Sequence, residues 1–303
     1  MNNITLKQLR YFDAVAHHRH FGRAADACAI SQPALSMQIK ELEASLGAAL
    51  FERDARQVRL TGLGEEFSER VRDILRSVED LSDLARAAQE ELVGRLRIGV
   101  IPTIAPYLLP SIMRSLEQAH AGLDIRMREA LTPTLIDEVA DGRLDTAVLA
   151  LPISEASLEE LPLFEEEFVL VRPAADAEKP MPDRKALREM RLLLLEEGHC
   201  FRDQALSFCD LDSAAPKNIL EGNSLATLVQ MVGAGIGVTL IPDMAVPLET
   251  RSTAVSVGRF AAPKPERTIG MIWRKKSPMV RQLQQVADVV RAAATKLAAD
   301  GQA

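Results

Sequence analysis

From Gly94 onward the apolar residues of this chain switch repeatedly between two periods. RLRIGVI reads as a strand, PYLLPSIMRSLEQAH as a helix, LDIRMREA as a strand, TPTLIDEVADGR as a helix and LDTAVLAL as a strand. FVLVRP and RLLLLEE are further strands, SLATLVQMVGAG is a helix, and VTLIP and TIGMIWR are strands again. Strands separated by helices predict parallel sheets covered by those helices. Ligands of such sheets sit beyond the carboxyl ends of the strands. GAGIG (Gly233–Gly237) follows a helix and precedes a strand, whereas a dinucleotide loop follows a strand and opens a helix. It reads as a tight turn. No internal repeat or low-complexity segment interrupts the pattern.

The first sixty residues are built differently. Leu6, Leu9, Phe12, Val15 and Ala16 recur at helical spacing. Ala24, Ala25 and Ala27 make a short helix of small residues that can pack closely. Ser31 is a good N-cap, Pro33 suits a first helical turn, and Gly47 suits a stop. Between them Leu35, Ile39, Leu42 and Leu46 form one buried stripe. Two helices joined by a short turn are a helix-turn-helix, whose second helix offers its N-terminal residues to base edges. The outer face begins with Gln32, Pro33, Ser36, Met37 and Lys40, with Gln38 beside them. Gln32 and Ser36 suit base reading and Lys40 suits phosphate. Arg53, Arg56 and Arg59 then surround a turn, as a small β wing along a phosphate backbone would require. Residues 1–60 hold eight Lys/Arg against six Asp/Glu, while the whole chain carries −7. Only the head is fitted to meet a polyanion.

From Thr61 to about Gln89 the chain reads as one helix. Val71, Ile74, Val78, Leu81, Ala85 and Ala88 alternate at spacings of three and four, an a/d seam over nearly three heptads. Such a seam pairs two copies, and a paired winged helix gains palindromic sites.

No uncharged apolar run is long enough to span a bilayer, and no signal-peptide pattern opens the chain. The expected compartment is the cytoplasm, where thiols stay reduced. The chain has three cysteines. Cys28 lies in the helix-turn-helix as a small buried residue. Cys200 and Cys209 lie nine positions apart in EEGHCFRDQALSFCDL. Metal spacings such as C-x2-C are missing, and His17, His18 and His20 have no carboxylate or cysteine to complete a site. No metal or other cofactor is expected.

Leu192–Leu195 reads as a buried strand, Gly198 as a turn and CFRDQALSF as a short helix. That puts Cys200 at a helix N-terminus, where the dipole, Arg202 or a protonated His199 would favour a thiolate. A thiolate reached by an oxidant forms sulfenic acid, which a second thiol captures as a disulfide. If residues 200–209 are helical, the two Cα atoms are roughly 13 Å apart. A disulfide needs about 4.4–6.8 Å, so closure would unwind the segment. On the residues alone two readings stand: a reactive pair, or two incidental cysteines at the ends of a helix.

AADACAISQPALSMQIKELEASLGAALFERDARQVRLTGLG resembles the winged helix of the LysR-type transcriptional regulators. Its SQPALS…QI..LE..LG..LF.R pattern is specific over about forty residues. Met37 departs from it, standing where that family has a small or basic residue. The resemblance implies a multi-domain α+β chain. Residues 1–60 would be the winged helix-turn-helix, 61–90 a dimerisation linker helix, and 91–303 a two-lobed, periplasmic-binding-protein-like α/β regulatory domain. Lobe I would cover about 93–165 with 269–303, and lobe II about 166–268. Paired linkers within a homotetramer, a dimer of dimers, are also implied. So are promoter DNA and RNA polymerase as partners, with no membrane.

EEGHCFRDQALSFC is similar to the redox segment of the peroxide-sensing members of that family, as are IPTIAPYLLP, the LFEE region and PKPERTIGMIWR. This implies an activator of the oxidative-stress response, with Cys200 reacting with hydrogen peroxide and Cys209 resolving it. Thr103 and Thr132 would line the peroxide pocket. His199, Arg202 and Asp203 would flank the thiolate, and Arg267 would reach the site from a later strand. Phe201 is a bulky neighbour able to shield the thiol or redirect approach to it. A LysR-type regulator that binds a small organic effector between its lobes is the alternative. A thiol peroxidase is a third reading, but turnover needs no DNA-binding head. One oxidation per switching event does not make an enzyme.

Overall fold

The computed structural model describes residues 4–52, 58–87, 92–209 and 219–300. The chain divides into two compact units, Met1–Leu84 and Ala85–Ala303.

The first unit contains α1 (Leu6–His18), α2 (Phe21–Ala27), α3 (Gln32–Leu46) and most of α4 (Gly62–Ala87). A capping box starts α1: the Gln8 amide donates to Thr5 Oγ1, and the Thr5 amide donates to Gln8 Oε1. Ser31 caps α3 through the Ala34 amide, Pro33 sits in its first turn, and Gly47 ends it at φ +69°. Phe12, Leu35, Ile39, Leu42 and Leu50 are fully buried, with the Phe12 ring packed on Phe51 and Phe67. Cys28 is only half-buried, because it caps the end of α2 at the turn.

Beyond α3, the Leu50 and Phe51 amides both donate to Glu43 Oε1, and Phe51 pairs antiparallel with Leu60. Two short arms thus flank residues 53–57. Arg53 and Arg56 fall in that segment and lie outside the described residues.

The second unit runs β1 (Arg95–Val100), α5 (Ala105–Ala119), β2 (Asp124–Glu129), α6 (Thr132–Ala140), β3 (Thr146–Leu151) and β4 (Leu158–Pro173). It continues with α7 (Arg184–Glu189), β5 (Leu192–Leu195), α8 (Cys200–Phe208), β6 (Ile219–Gly222) and α9 (Leu225–Gly233). Last come β7 (Val238–Pro242), α10 (Val246–Glu249), β8 (Val255–Arg259), β9 (Glu266–Arg274) and α11 (Val280–Asp300). β1 lies parallel between β2 and β3, and β9 runs antiparallel beside β3. β5 lies parallel between β6 and β7 in the second sheet.

One strand joins the two sheets. The first ten residues of β4 pair antiparallel with β9, while Phe168–Pro173 pairs with β7 and β8. Each sheet has its own apolar core, so the unit has two lobes. The sequence pattern shows FVLVRP but not the first half of β4, LEELPLFEEE. Its glutamates lack the apolar signal of a buried strand, and Pro162 falls beside a break in register. The sheets therefore combine parallel strands with antiparallel pairings made by β4, β8 and β9. The short β6 and β8 and the long α11 are also additions. α11 buries Leu283, Val286, Ala287 and Val290 and packs beside α5.

Candidate functional site

Leu192–Leu195 is buried at every position. The turn that follows depends on Gly198, at φ +93°. A Cβ there would lie 3.0 Å from Leu131 Cδ1, so both backbone conformation and space favour glycine. α8 begins two residues later. His199 occupies its N-cap position, and no side chain caps the first turn. The Arg202 amide donates to the His199 carbonyl, and the helix dipole favours negative charge there.

Cys200 is half-buried and packs on the core of the first lobe. Phe201, the next residue, points into the core of the second lobe with Ala205, Leu206 and Cys209. α8 therefore starts at the boundary between two cores. Cys200 lines a small, partly open cleft with Ile101, Pro102, Thr103, Leu131, Thr132 and His199. Thr103 and Thr132 both stand there, as the sequence reading has them. The buried Thr132 Oγ1 has no hydrogen-bond partner among the described residues. Burial lowers the His199 pKa, with Glu196 opposing the shift. Burial thus favours the neutral form of the His199 imidazole over the charged one.

Arg267 stands behind Thr103. Its Nη1 donates to Thr103 Oγ1 at 2.8 Å and its Nη2 donates to Thr103 O at 3.2 Å. A hydroxyl that accepts from a guanidinium keeps its own proton for another acceptor, and the cation strengthens that donation. Glu166 is the cross-strand partner of Arg267, and its Oε2 accepts from Arg267 Nε at 2.8 Å. The Arg267 side chain is wholly buried. Burial pushes the Glu166 carboxyl up, and Arg267 pulls against that. The Glu166 Oε1 accepts from the Met244 amide, so both oxygens are used.

Arg202 and Asp203 do not line the cleft. Two residues after Cys200, Arg202 points about 200° around the helix. Its Nη1 is engaged by Leu195 O at 2.9 Å and Glu221 at 2.7 Å. Asp203 stands exposed in the first turn of α8. No cationic side chain is among the lining residues, and Arg267 acts on the cleft through Thr103. Gln204 escaped the sequence reading. It lies one turn beyond Cys200 on the same face, and its buried Oε1 has no hydrogen-bond partner among the described residues. Its i+4 spacing was the available signal.

Cys200 and Cys209 are both thiols. α8 spans Cys200–Phe208 with Cys209 as its C-cap, so the Cα atoms are roughly 13 Å apart. The end of the helix is fastened by Arg188, by packing of Phe208 on Phe260, and by Arg184 over Phe208. Among the described residues no group of His, Cys, Asp or Glu is placed to hold a metal. No described helix is long and apolar enough to cross a membrane.

In the first unit Gln32, Pro33, Met37 and Lys40 are exposed and Ser36 is partly so. Gln38 is turned along its own helix, its Nε2 donating to Glu41 Oε2 at 2.7 Å. Burial and Asp13 raise the Cys28 pKa. Along α4, Ile74 and Leu81 are exposed and Val78 is partly buried, but Val71 is not open. It is buried in the core of the first unit, because the seam begins where α4 still packs on the head. The Ala85 side chain and Ala88 lie outside the described residues.

Two family models cover most of the chain. Residues 6–65 match the bacterial regulatory helix-turn-helix protein, lysR family, and residues 89–295 match the LysR substrate binding domain. A Streptomyces viridosporus protein named "Probable hydrogen peroxide-inducible genes activator" is 45% identical over 294 residues, spanning 95% of this chain and 94% of the relative. The Escherichia coli K12 DNA-binding transcriptional dual regulator OxyR is 41% identical over 294 residues, spanning 95% of each. A full-length Pseudomonas aeruginosa OxyR structure carrying a cysteine-to-aspartate substitution has TM-score 0.74 and 37% identity, covering 95% of each chain. The oxidized form of Corynebacterium glutamicum OxyR has TM-score 0.61 and 32% identity, covering 98% of this chain and 94% of that one. With a helix-turn-helix head, a two-lobed α/β unit and likeness over nearly its whole length to OxyR proteins, the chain belongs to the LysR family of bacterial regulators.

Proposed function

We propose that this chain is a hydrogen-peroxide-responsive transcriptional regulator, with Cys200 as the reacting thiol and Cys209 as the resolving one. The observation that carries the reading is the position of Cys200. It lies at a helix N-terminus that no side chain caps, in a small cleft with two threonine hydroxyls and the His199 imidazole. In the proposed reaction the Cys200 thiolate attacks one peroxide oxygen and the O–O bond breaks. Hydroxide leaves and takes a proton to become water, and Cys200 becomes a sulfenic acid. The Cys209 sulfur then displaces the sulfenic hydroxyl as water, forming the disulfide. Thr103, polarised by Arg267, and Thr132 orient the peroxide, and Thr103 donates to the leaving oxygen.

The roughly 13 Å between the Cα atoms makes the second step a refolding step, which biases the lobes between two states. Residues 1–60 then read promoter DNA through Gln32, Pro33, Ser36 and Lys40, with Arg53 and Arg56 on the backbone. Residues 61–90 pair two copies through Ile74, Val78, Leu81 and Ala85. Residues 91–303 sense the oxidant. In this reading the chain works as a dimer of dimers on promoter DNA and acts on RNA polymerase in the cytoplasm; the relatives' names as DNA-binding regulators support the DNA part. A LysR-type regulator answering a small organic effector between its lobes is the alternative, and it predicts that peroxide leaves both thiols unpaired.

The test is mass mapping of thiols in the full chain after one equivalent of peroxide, without reductant. A peptide joining Cys200 to Cys209 is expected. Two unmodified thiols, or normal peroxide-dependent transcription by Cys200→Ser, would overturn the mechanism.

A further inference from the structure

Phe201 is the one bulky residue beside the reacting cysteine, and the functional reading leaves it unused. Its ring is buried and meets Phe168 edge-on, with centroids 4.7 Å apart at 65°. Over the ring lies the Arg267 guanidinium, 5.4 Å from the centroid. That guanidinium is wholly buried and also holds Thr103 and Glu166. Three elements therefore meet at Arg267: α8 through Phe201, the turn before α5 through Thr103, and β4 through Glu166.

We propose that Phe201 is a positioning residue for the oxidation of Cys200: its ring holds the Arg267 guanidinium in the plane that keeps the Thr103 hydroxyl aimed into the cleft. The proposal rests on the peroxide reading above. A guanidinium in a dry interior is attracted to the negative face of an aromatic ring, more strongly than at a surface. The Phe168 edge fixes the ring, so the cation sits on a rigid support. An aliphatic residue of similar bulk fills the volume but has no negative face. Arg267 is then free to tilt about its pair with Glu166, and the Thr103 hydroxyl loses its orienting donor. Phe201 also follows Cys200 directly in α8. Unwinding that helix to bring Cys209 near pulls the ring from beneath Arg267, so the support is lost once the disulfide forms.

The test places phenylalanines with one, two and three ring fluorines at position 201 of the full-length chain carrying Cys209→Ser. Fluorine changes ring size little and weakens the negative face in steps. The readout is the second-order rate of Cys200 sulfenic acid formation with hydrogen peroxide. The logarithm of the rate should fall with each fluorine, and Phe201→Leu should react roughly three- to thirty-fold more slowly than the parent. A ring that only fills space gives no trend with fluorine. A flat series on a fast parent overturns the positioning role and leaves the peroxide reading intact. A parent that reacts no faster than a free cysteine overturns both. The fluorinated series keeps the test decisive if Phe201→Leu fails to fold.

Discussion

Arg188 donates from Nε to the carbonyl oxygen of Cys209 at 2.9 Å, joining α7 to the last turn of α8. The contact fixes the backbone of the residue that must travel if a disulfide is to form. Arg188→Ala removes about 1 kcal/mol of support from the reduced fold. Destabilising the reduced form favours the disulfide, so the midpoint potential should become roughly 20 mV more negative. Equilibration in glutathione buffers, read by mass, measures the shift. An unchanged potential would mean that Cys209 keeps its place on oxidation.

Thr103→Val leaves the buried Arg267 Nη1 without the acceptor it now has. A buried donor stranded in this way costs about 1–3 kcal/mol. Denaturant unfolding should show that loss, and the rate of Cys200 oxidation should fall with it. Thr103→Ser keeps the hydroxyl and should restore most of both.

The His199 pKa is lowered by burial, which sets a pH dependence. Above the ordinary histidine value of about 6.5 neither the folded nor the unfolded chain binds the proton. As pH falls through that value the unfolded chain takes it up first, and stability is lost down to the lowered folded pKa. An NMR titration of the His199 ring should give a midpoint below about 6.5. His199→Gln should flatten that part of the stability curve. A midpoint above the ordinary value would remove the neutral histidine from the site.

Tyr107 on α5 donates to Glu249 Oε1 on α10 at 2.8 Å, linking the first lobe to the second. Burial first, then Glu249, pushes the phenol pKa far up, so it remains a donor across the working range. Glu249 is half-exposed, and water can replace the lost donor, so Tyr107→Phe should cost about 1 kcal/mol. Calorimetry should show the regulatory unit melting about 2–4 °C lower.

Lys40 is exposed one turn beyond Ser36 on α3. If it holds a phosphate, Lys40→Ala should weaken binding to all duplex sequences alike. It should also reduce the slope of log affinity against log salt by about 0.9. A filter-binding series in salt measures it, and an unchanged slope would place Lys40 off the DNA.

The helix-turn-helix was legible because its signals are local. Ser31, Pro33 and Gly47 act on the backbone within a turn of themselves, and the structure has them as cap, first turn and stop. α8 was legible for the same reason, from the Gly198 turn to Phe208. The first half of β4 was not, because its glutamates take their meaning from β9. Glu166 becomes a buried ion pair only when Arg267 lies across from it, 101 residues away in sequence. Arg202 misled for the opposite reason. Its nearness in sequence to Cys200 suggested a cation at the thiol, while helix geometry turned it toward Glu221.

By itself the sequence determined most of the helices and the buried strands, that two cysteines lie at the two ends of one helix, and to which family the chain is similar. Those properties follow from caps, periods and motifs within short windows of chain. The tertiary structure alone decided which side chains meet the thiol. Packing brought Thr103, Thr132 and His199 together around Cys200, and register on a shared strand set Arg267 behind Thr103. Burial did the rest. It lowered the His199 pKa and left a buried guanidinium with three partners, Glu166, Thr103 and the ring of Phe201.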